Sequence, residues 1–447
     1  MKFKAKTLAL ALAAGFPLAA HSTDGYFSHG YGMQAKGMGG ASTAIAESAF
    51  GAATNPATMA FSGNRFEVGV DLFSPRRKAS RSGGAPYGLD GAADSDSNIF
   101  AVPEIAYNRM VSPNMSMGLT VYGNGGMNTD YPGGQLPSPG ACGPATGPGT
   151  GFNPQPGPYN LLCGNGSLGV DLMQLIVAPS VAFKLGPDHA IGIAPLFAYQ
   201  RFEMNGLQPF EGFSTSPGSV TNRGYDDSTG YGVRVGYYGR ISPSLAVGAA
   251  YATKMRMGEF DKYRGLFAQQ GGFDIPSHWS VGVTFYPSPT TLFTAEYQRI
   301  NYTDAKSVGN PSTLLLQCAG GNLANCLGGS DGAGFGWQDI DVFKLGVQWQ
   351  QSPSLTLRAG INISDNPVRS ENVTINILAP GVVRNHVTLG ATWKLDNESA
   401  VTGAFMYAFS NDVNGPSLLN NFVPGLNAQE KIEMYQYSIG VQYSRRF

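Results

Sequence analysis

From Phe66 onward the chain breaks into segments of about ten residues in which apolar side chains alternate with small or polar ones, the period-two pattern of a strand with two unlike faces. Phe66, Val68, Val70 and Leu72 share one face, and Glu67, Gly69 and Asp71 take the other. Leu245, Val247, Ala249 and Tyr251 repeat the pattern, as do Trp279, Val281, Val283 and Phe285, and then Val387, Leu389, Ala391, Trp393 and Leu395. Helical periodicity is nearly absent. An all-β fold follows.

An apolar face turned inward on a core would make a soluble sandwich or barrel, and the loop lengths decide against it. Short turns at Ser112-Pro113-Asn114, Gly186-Pro187-Asp188, Ser242-Pro243-Ser244, Pro287-Ser288-Pro289, Ser352-Pro353-Ser354 and Asp396-Asn397-Glu398 alternate with long connections, the largest from about Gly126 to Leu168. Tight turns on one side and long loops on the other are the signature of a transmembrane β-barrel. The apolar face then meets lipid, and closure pairs every backbone group in the hydrocarbon. Punctuated this way, the chain from Arg65 to Phe447 holds about fourteen antiparallel strands.

Composition sharpens this picture. Only 13% of the residues are charged, against about 25% in ordinary soluble proteins. A mean hydropathy of -0.11 leaves no room for a bundle of apolar transmembrane helices. Net charge is -1 without a long basic run, so nucleic acid is not the expected partner.

Lys2, Lys4 and Lys6 precede an apolar run from Thr7 to Ala20, and small residues around His21 and Ser22 follow. Residues 1–22 therefore read as a secretory signal peptide. In an oxidising compartment the four cysteines pair most simply within their own Gly/Pro-rich stretches, Cys142 with Cys163 and Cys318 with Cys326. No C-x-x-C spacing supports a metal site, and no cofactor is expected.

Residues 23–62 lack strand alternation, are rich in Gly and Ala, and carry a short helix candidate over 42–49. A barrel of about fourteen strands encloses more space than its own side chains fill, since about eight already suffice. The segment is expected to be a plug, with the barrel spanning 63–447.

The stretch Asp24-Gly25-Tyr26-Phe27-Ser28-His29-Gly30-Tyr31-Gly32, then Gly37-Met38-Gly39-Gly40-Ala41, then Asn55-Pro56-Ala57 ahead of the first strand, resembles the hatch of the outer-membrane FadL/TodX transporters. The resemblance implies passive uptake of long-chain fatty acids or other hydrophobic compounds, with aromatic hydrocarbons, alkanes and aromatic esters as alternatives. It also implies that Thr23, Asp24, Gly25, Tyr26 and Phe27 reach the substrate pocket and shift on binding, and that Asn55, Pro56 and Ala57 hold the hatch beside a kink in the third strand. Gly123, Gly125 and Gly126 interrupt the alternation of Met117, Leu119 and Val121 at that place. Interior glycines in a strand mark a bulge or bend. In the family such a kink opens the wall sideways to the membrane.

Leu207, Phe210 and Phe213 in one long loop, and Leu266, Phe267 and Phe273 in another, are the candidate greasy surface on which a substrate first lands inside the lipopolysaccharide layer. Alternation turns Arg234, Lys254, Lys344 and Arg358 inward. A lumenal cation would orient a carboxylate by a charge-assisted hydrogen bond, or would pair with Glu67, Asp71, Glu296 or a hatch carbonyl.

The last strand places Tyr435, Tyr437, Ile439, Val441 and Tyr443 on one face and ends on Phe447, which resembles the insertion signal read by the barrel assembly machinery. Arg445 departs from the apolar residue usual there. A monomer is expected. Catalysis is not: no G-x-S-x-G occurs, and the mature histidines are His29, His189, His278 and His386. Gly30-Tyr31-Gly32 has no strand ahead of it, which removes a dinucleotide loop. A general porin would lack the plug.

Overall fold

The computed structural model describes residues 24–137, 142–143 and 153–447, so the expected signal peptide and Thr23 lie outside the described residues. The wall opens with β1 (Arg65–Ser82), β2 (Phe100–Ser112), β3 (Met115–Asn128), β4 (Gly169–Lys184) and β5 (His189–Asn205). It continues through β6 (Asp226–Ser242), β7 (Leu245–Ala252), β8 (His278–Ser288), β9 (Thr291–Ile300) and β10 (Ile340–Gln350). β11 (Leu355–Ser364), β12 (Asn385–Lys394), β13 (Ser399–Pro416) and β14 (Gln429–Arg446) complete it. Neighbours in sequence pair antiparallel, and β1 meets β14 in unbroken register from Arg65–Arg446 to Ser82–Gln429. The sheet is a closed cylinder of fourteen strands. Two short strands, Gly91–Asp94 and Arg256–Met257, add to β1 and β6 outside this count.

All six expected short turns join strands at the end where the wall starts and stops, and the long connections gather at the other. The Cys142–Cys163 disulfide lies in the connection between β3 and β4, and Cys318–Cys326 in that between β9 and β10.

Polarity is inverted relative to a soluble protein. On β10, Phe343 and Leu345 are exposed while Lys344 between them is buried. On β14, Ile439 and Val441 are exposed and Gln436, Ser438 and Gln442 are buried. Lipid is the solvent for the first set and the lumen houses the second. Phe447 follows β14 directly, 53% exposed, and its ring stacks on Tyr107 with centroids 5.7 Å apart.

Residues 24–64 fill the lumen. Their regular structure is short: helix α1 (Met33–Lys36), 3-10 turns at Ala49–Ala53 and Pro56–Thr58, and helix α2 (Met59–Ser62). No helix forms over 42–49, contrary to expectation. The backbone N–H groups of Ser42 and Thr43 instead both donate to Glu296 of β9, each at 2.8 Å. A helix leaves its first N–H groups without an internal acceptor, so the carboxylate serves those; the helix is lost one step on, where Asn55 Nδ2 takes the Thr43 carbonyl at 2.8 Å.

The same device ties the plug down elsewhere. Lys36 reaches Asp71 at 2.9 Å and Glu104 at 3.5 Å, Ala49 N–H donates to Glu67 at 3.0 Å, and Met33 N–H donates to Gln442 at 2.8 Å. Asn55 caps Ala57 N–H through Oδ1 and donates through Nδ2 to the carbonyls of Thr43 and Tyr237, both at 2.8 Å. A Cβ on Gly192 or Gly236 would stand 2.4 Å from Pro56 or 2.0 Å from Asn55 Oδ1, so wall glycines admit the plug backbone.

Candidate functional site

β2 and β3 part company halfway up the wall. Their register runs from Ser112–Met115 to Ile105–Val121 and stops, while β3 stays paired with β4 as far as Asn128–Asp171. A bulge at Gly123–Gly125 turns β3 inward at this level. The edge that β2 abandons is taken by the plug: Ser28 N–H donates to Asn124 O at 3.0 Å and Gly126 N–H to Tyr26 O at 3.1 Å. Only glycine fits at 125, where a Cβ would lie 1.7 Å from Tyr26 O. Higher up the two sides rejoin, with Asp96 N–H donating to Asp130 O at 2.8 Å and Ser97 Oγ bonded to Asn128 Oδ1. Between Ile105–Val121 below and Ser97–Asn128 above, β2 and β3 share no ladder bonds, and this unpaired stretch is called the window.

Behind this window lies the start of the described chain. Tyr26 is fully buried, with ring centroids 5.2 Å from Phe27, 5.3 Å from Tyr302 and 5.8 Å from Trp337. Its N–H donates to Tyr302 Oη at 3.1 Å, and that hydroxyl donates to Asp24 O. Gly25 makes the turn at φ +66° under the Tyr302 ring. Asn362 Nδ2 donates to Asp24 Oδ2 at 3.3 Å. Burial pushes the Asp24 carboxyl up to about 6, with the Lys344 ammonium pulling the other way.

Above Tyr26, on the long-loop side, a small apolar cavity of about 30 Å³ lies among Leu207, Phe210, Leu266, Phe267, Phe335 and Ile375, which are otherwise closely packed. Phe273 links it to the plug, 4.8 Å from the Phe267 ring and 6.3 Å from Tyr26. Below Tyr26 a small polar cavity of about 20 Å³ is lined by Tyr31, Arg234, His278, Gln298 and Lys344. Lys344 pairs with Glu296 at 3.1 Å and with Gln298 at 2.7 Å. Arg234 is only 1% exposed, and its guanidinium donates to Tyr122 Oη at 3.0 Å and to His278 Nε2 at 3.2 Å. Among the described residues no carboxylate lies within 4 Å of it.

Residues 160–447, more than half of the chain, match the family of outer membrane protein transport proteins (OMPP1/FadL/TodX). The chain belongs to this family. No curated protein matches it. Among solved structures its fold is similar to the toluene transporter TodX of P. putida, at 17% identity and a TM-score of 0.65 over 94% of this chain and 99% of that one. It is likewise similar to the toluene transporter TbuX of Ralstonia pickettii, at 16% identity and 0.60 over 94% and 99%. A Pseudomonas aeruginosa FadL homologue gives 13% identity and 0.69 over 95% and 100%. This FadL/TodX-family barrel is an outer-membrane transporter of hydrophobic compounds.

The structure sorts the residues singled out from the sequence of this FadL/TodX-type barrel. Phe210, Leu266 and Phe267 meet in one cavity, but Phe213 turns away to Phe422, with ring centroids 5.1 Å apart. Arg234 and Lys344 share the polar cavity. Arg358 is buried toward the short-turn end, against Gln348 at 2.7 Å and Thr392 at 2.6 Å, and opens on a vestibule of about 380 Å³. Lys254 does not enter the lumen. β7 ends at Ala252, so alternation no longer sets its direction, and it pairs with Asp274 at 3.2 Å, part-exposed. Asn55-Pro56-Ala57 packs on β5 and β6 rather than beside the kink, which Tyr26–Ser28 meets instead. Tyr122, Tyr302 and Trp337 were not anticipated. Tyr122 had a signal, since it takes an inward position of β3 between Val121 and Gly123; the other two sit in a loop with no period to read.

Proposed function

We propose that this protein takes up long-chain fatty acids or related amphipathic carboxylic acids by diffusion, with the N-terminal segment as sensor and the window as lateral exit. The single observation behind the acid is Arg234. Lys36, Arg81 and Lys344 each stand within 4 Å of a buried carboxylate, and Arg358 faces a broad polar vestibule. Arg234 has neither, and an uncompensated buried charge costs several kcal/mol. A substrate carboxylate arriving there would supply the missing partner bidentately, while its alkyl chain lies among Tyr26, Phe27 and the apolar cavity above. Substrate lands among Phe210, Leu266 and Phe267, descends past Phe273, and displaces Tyr26–Phe27 from the freed edge of β3. The exit is then the window beside Gly125, into the membrane.

A second reading, uptake of aromatic hydrocarbons, draws on the box of Tyr26, Phe27, Tyr302 and Trp337 and on the likeness to two toluene transporters. Binding of palmitate and of toluene to the purified barrel, each measured for wild type and Arg234→Gln, separates them. The acid reading expects palmitate affinity to fall about tenfold in the variant, the worth of one charge-assisted bond, with toluene unchanged. Toluene binding with no palmitate binding would replace it. Phe447 serves in this reading as the insertion signal for the assembly machinery, and the barrel works as a monomer within lipopolysaccharide.

A further inference from the structure

A second buried guanidinium stands at the other end of the window. Arg77 of β1 is 6% exposed, and among the described residues no carboxylate lies within 4 Å of it. One nitrogen donates to Ser97 O, on the upper rim, and its guanidinium carbon lies 5.9 Å from the centre of the Phe100 ring, at the first residue of β2. Its Nε is buried without a partner, as are Asn98 Oδ1 and the hydroxyl of Tyr131. Arg77 and Asn98 line one cleft with two further cations, Arg76 and Lys78, and two carboxylates, Asp94 and Glu433. Arg77 Nε and the Tyr131 hydroxyl are donors that a carboxylate would satisfy, each costing about 1–3 kcal/mol while unmade, whereas Asn98 Oδ1 is an acceptor and would not take part.

We infer that Arg77 is a second carboxylate station, at which the head group of a departing acid is held while its tail enters the membrane through the window. The inference rests on the acid reading given above. Arg234 reaches Tyr122, the first residue of β3 beyond the last β2 pairing, and Arg77 reaches Ser97 at the top. A carboxylate leaving Arg234 along the unpaired stretch of β2 and β3 therefore meets Arg77 at its upper end before it reaches the outer surface. Without that station the anion would be desolvated along the whole crossing, which is the costly part of moving an amphiphile sideways.

The test compares transfer of palmitate and of methyl palmitate, an uncharged relative of the same shape, through wild type, Arg77→Gln and Arg77→Lys in proteoliposomes free of lipopolysaccharide. Equilibrium palmitate binding to each purified barrel is measured alongside. Arg77→Gln should slow palmitate about tenfold, leaving ester transfer and equilibrium palmitate binding unchanged, and Arg77→Lys should restore most of the rate. Equal slowing of acid and ester would make Arg77 a structural clamp on Ser97 and overturn the inference. An unchanged palmitate rate in these vesicles would overturn it as well, and an effect seen only once lipopolysaccharide is added would assign the guanidinium to a lipid phosphate. Failure of the underlying acid reading shows separately, as wild type that transfers both compounds equally and Arg234→Gln that binds palmitate normally, and it removes both proposals.

Discussion

Glu296 holds the plug to the wall, and its replacement by Gln is the most direct test of how the lumen is closed. Its carboxylate accepts two backbone N–H groups of the plug at 2.8 Å and the Lys344 ammonium at 3.1 Å. Glutamine keeps the shape but loses the charge, so two charge-assisted bonds become neutral ones and Lys344 keeps only Gln298, at 2.7 Å. The Glu296–Lys344 pair joins two wall strands whether or not the plug is docked, so plug release feels only the two weakened N–H bonds, about 1 kcal/mol each. Barrel closure does not involve these bonds, since β8, β9 and β10 keep their backbone ladders. The loss of about 2 kcal/mol therefore falls on local release of residues 40–46, and protection of their amides in hydrogen exchange should drop about thirtyfold. Wall amides of β9 and β10 should not change. If Ser42 and Thr43 exchange at the wild-type rate in Glu296→Gln, the plug is held by packing alone and the reasoning fails.

Three further outcomes follow from the same geometry. Gly125→Ala should detach Tyr26–Ser28 from β3, because the new Cβ lies 1.7 Å from Tyr26 O; Trp337 fluorescence, quenched or restored by the neighbouring Tyr26 ring, would register it, and an unchanged spectrum with normal uptake would count against the edge exchange. Asn55→Ala removes two bonds to carbonyls and one cap, at a cost of about 2–3 kcal/mol, and should speed proteolysis of the plug without altering the heat-modifiable mobility of the barrel. Asp24 gives docking a pH dependence. Its carboxyl is raised to about 6 when docked, so docking takes up a proton: the stabilisation is complete below the ordinary aspartate value and is lost as pH rises through 6. Between pH 5 and 7 the docked population should weaken about tenfold, and Asp24→Asn should abolish that slope.

Period and loop length carried the architecture because lipid and lumen impose opposite demands on successive residues. Phe343 and Leu345 around Lys344 can be read in no other way once closure is assumed. The plug was legible as a plug through its composition, and its attachment was not, because Glu296, Glu67 and Glu104 bond backbone N–H groups whose identity leaves no trace in sequence. The helix expected over 42–49 gives way for a similar reason, its Thr43 carbonyl being taken by Asn55. Arg234 and Lys344 followed from alternation, whereas Lys254 failed where the strand ran out, two residues earlier, at Ala252. Nothing in the sequence separated the paired Lys344 from the unpaired Arg234, since partners come from other strands.

The window and the plug are one device, because a backbone edge inside a membrane protein must be paired by something. β3 has a single edge to offer above Val121. Where it stays in the wall, β2 would take that edge; where the Gly123–Gly125 bulge turns it inward, Tyr26–Ser28 takes it, and β2 is left facing a gap. The exchange satisfies the β3 edge and leaves that of β2 without ladder partners, so side chains have to make up the difference. Tyr26 and Phe27 weigh it through the aromatic box, and Asp24 through its desolvated carboxyl. A ligand that competes for that box therefore acts on the β3 edge directly, with no longer pathway required. Substrate binding and exit are then linked through three residues of main chain, and shortening the plug by those residues should uncouple them while leaving the cylinder intact.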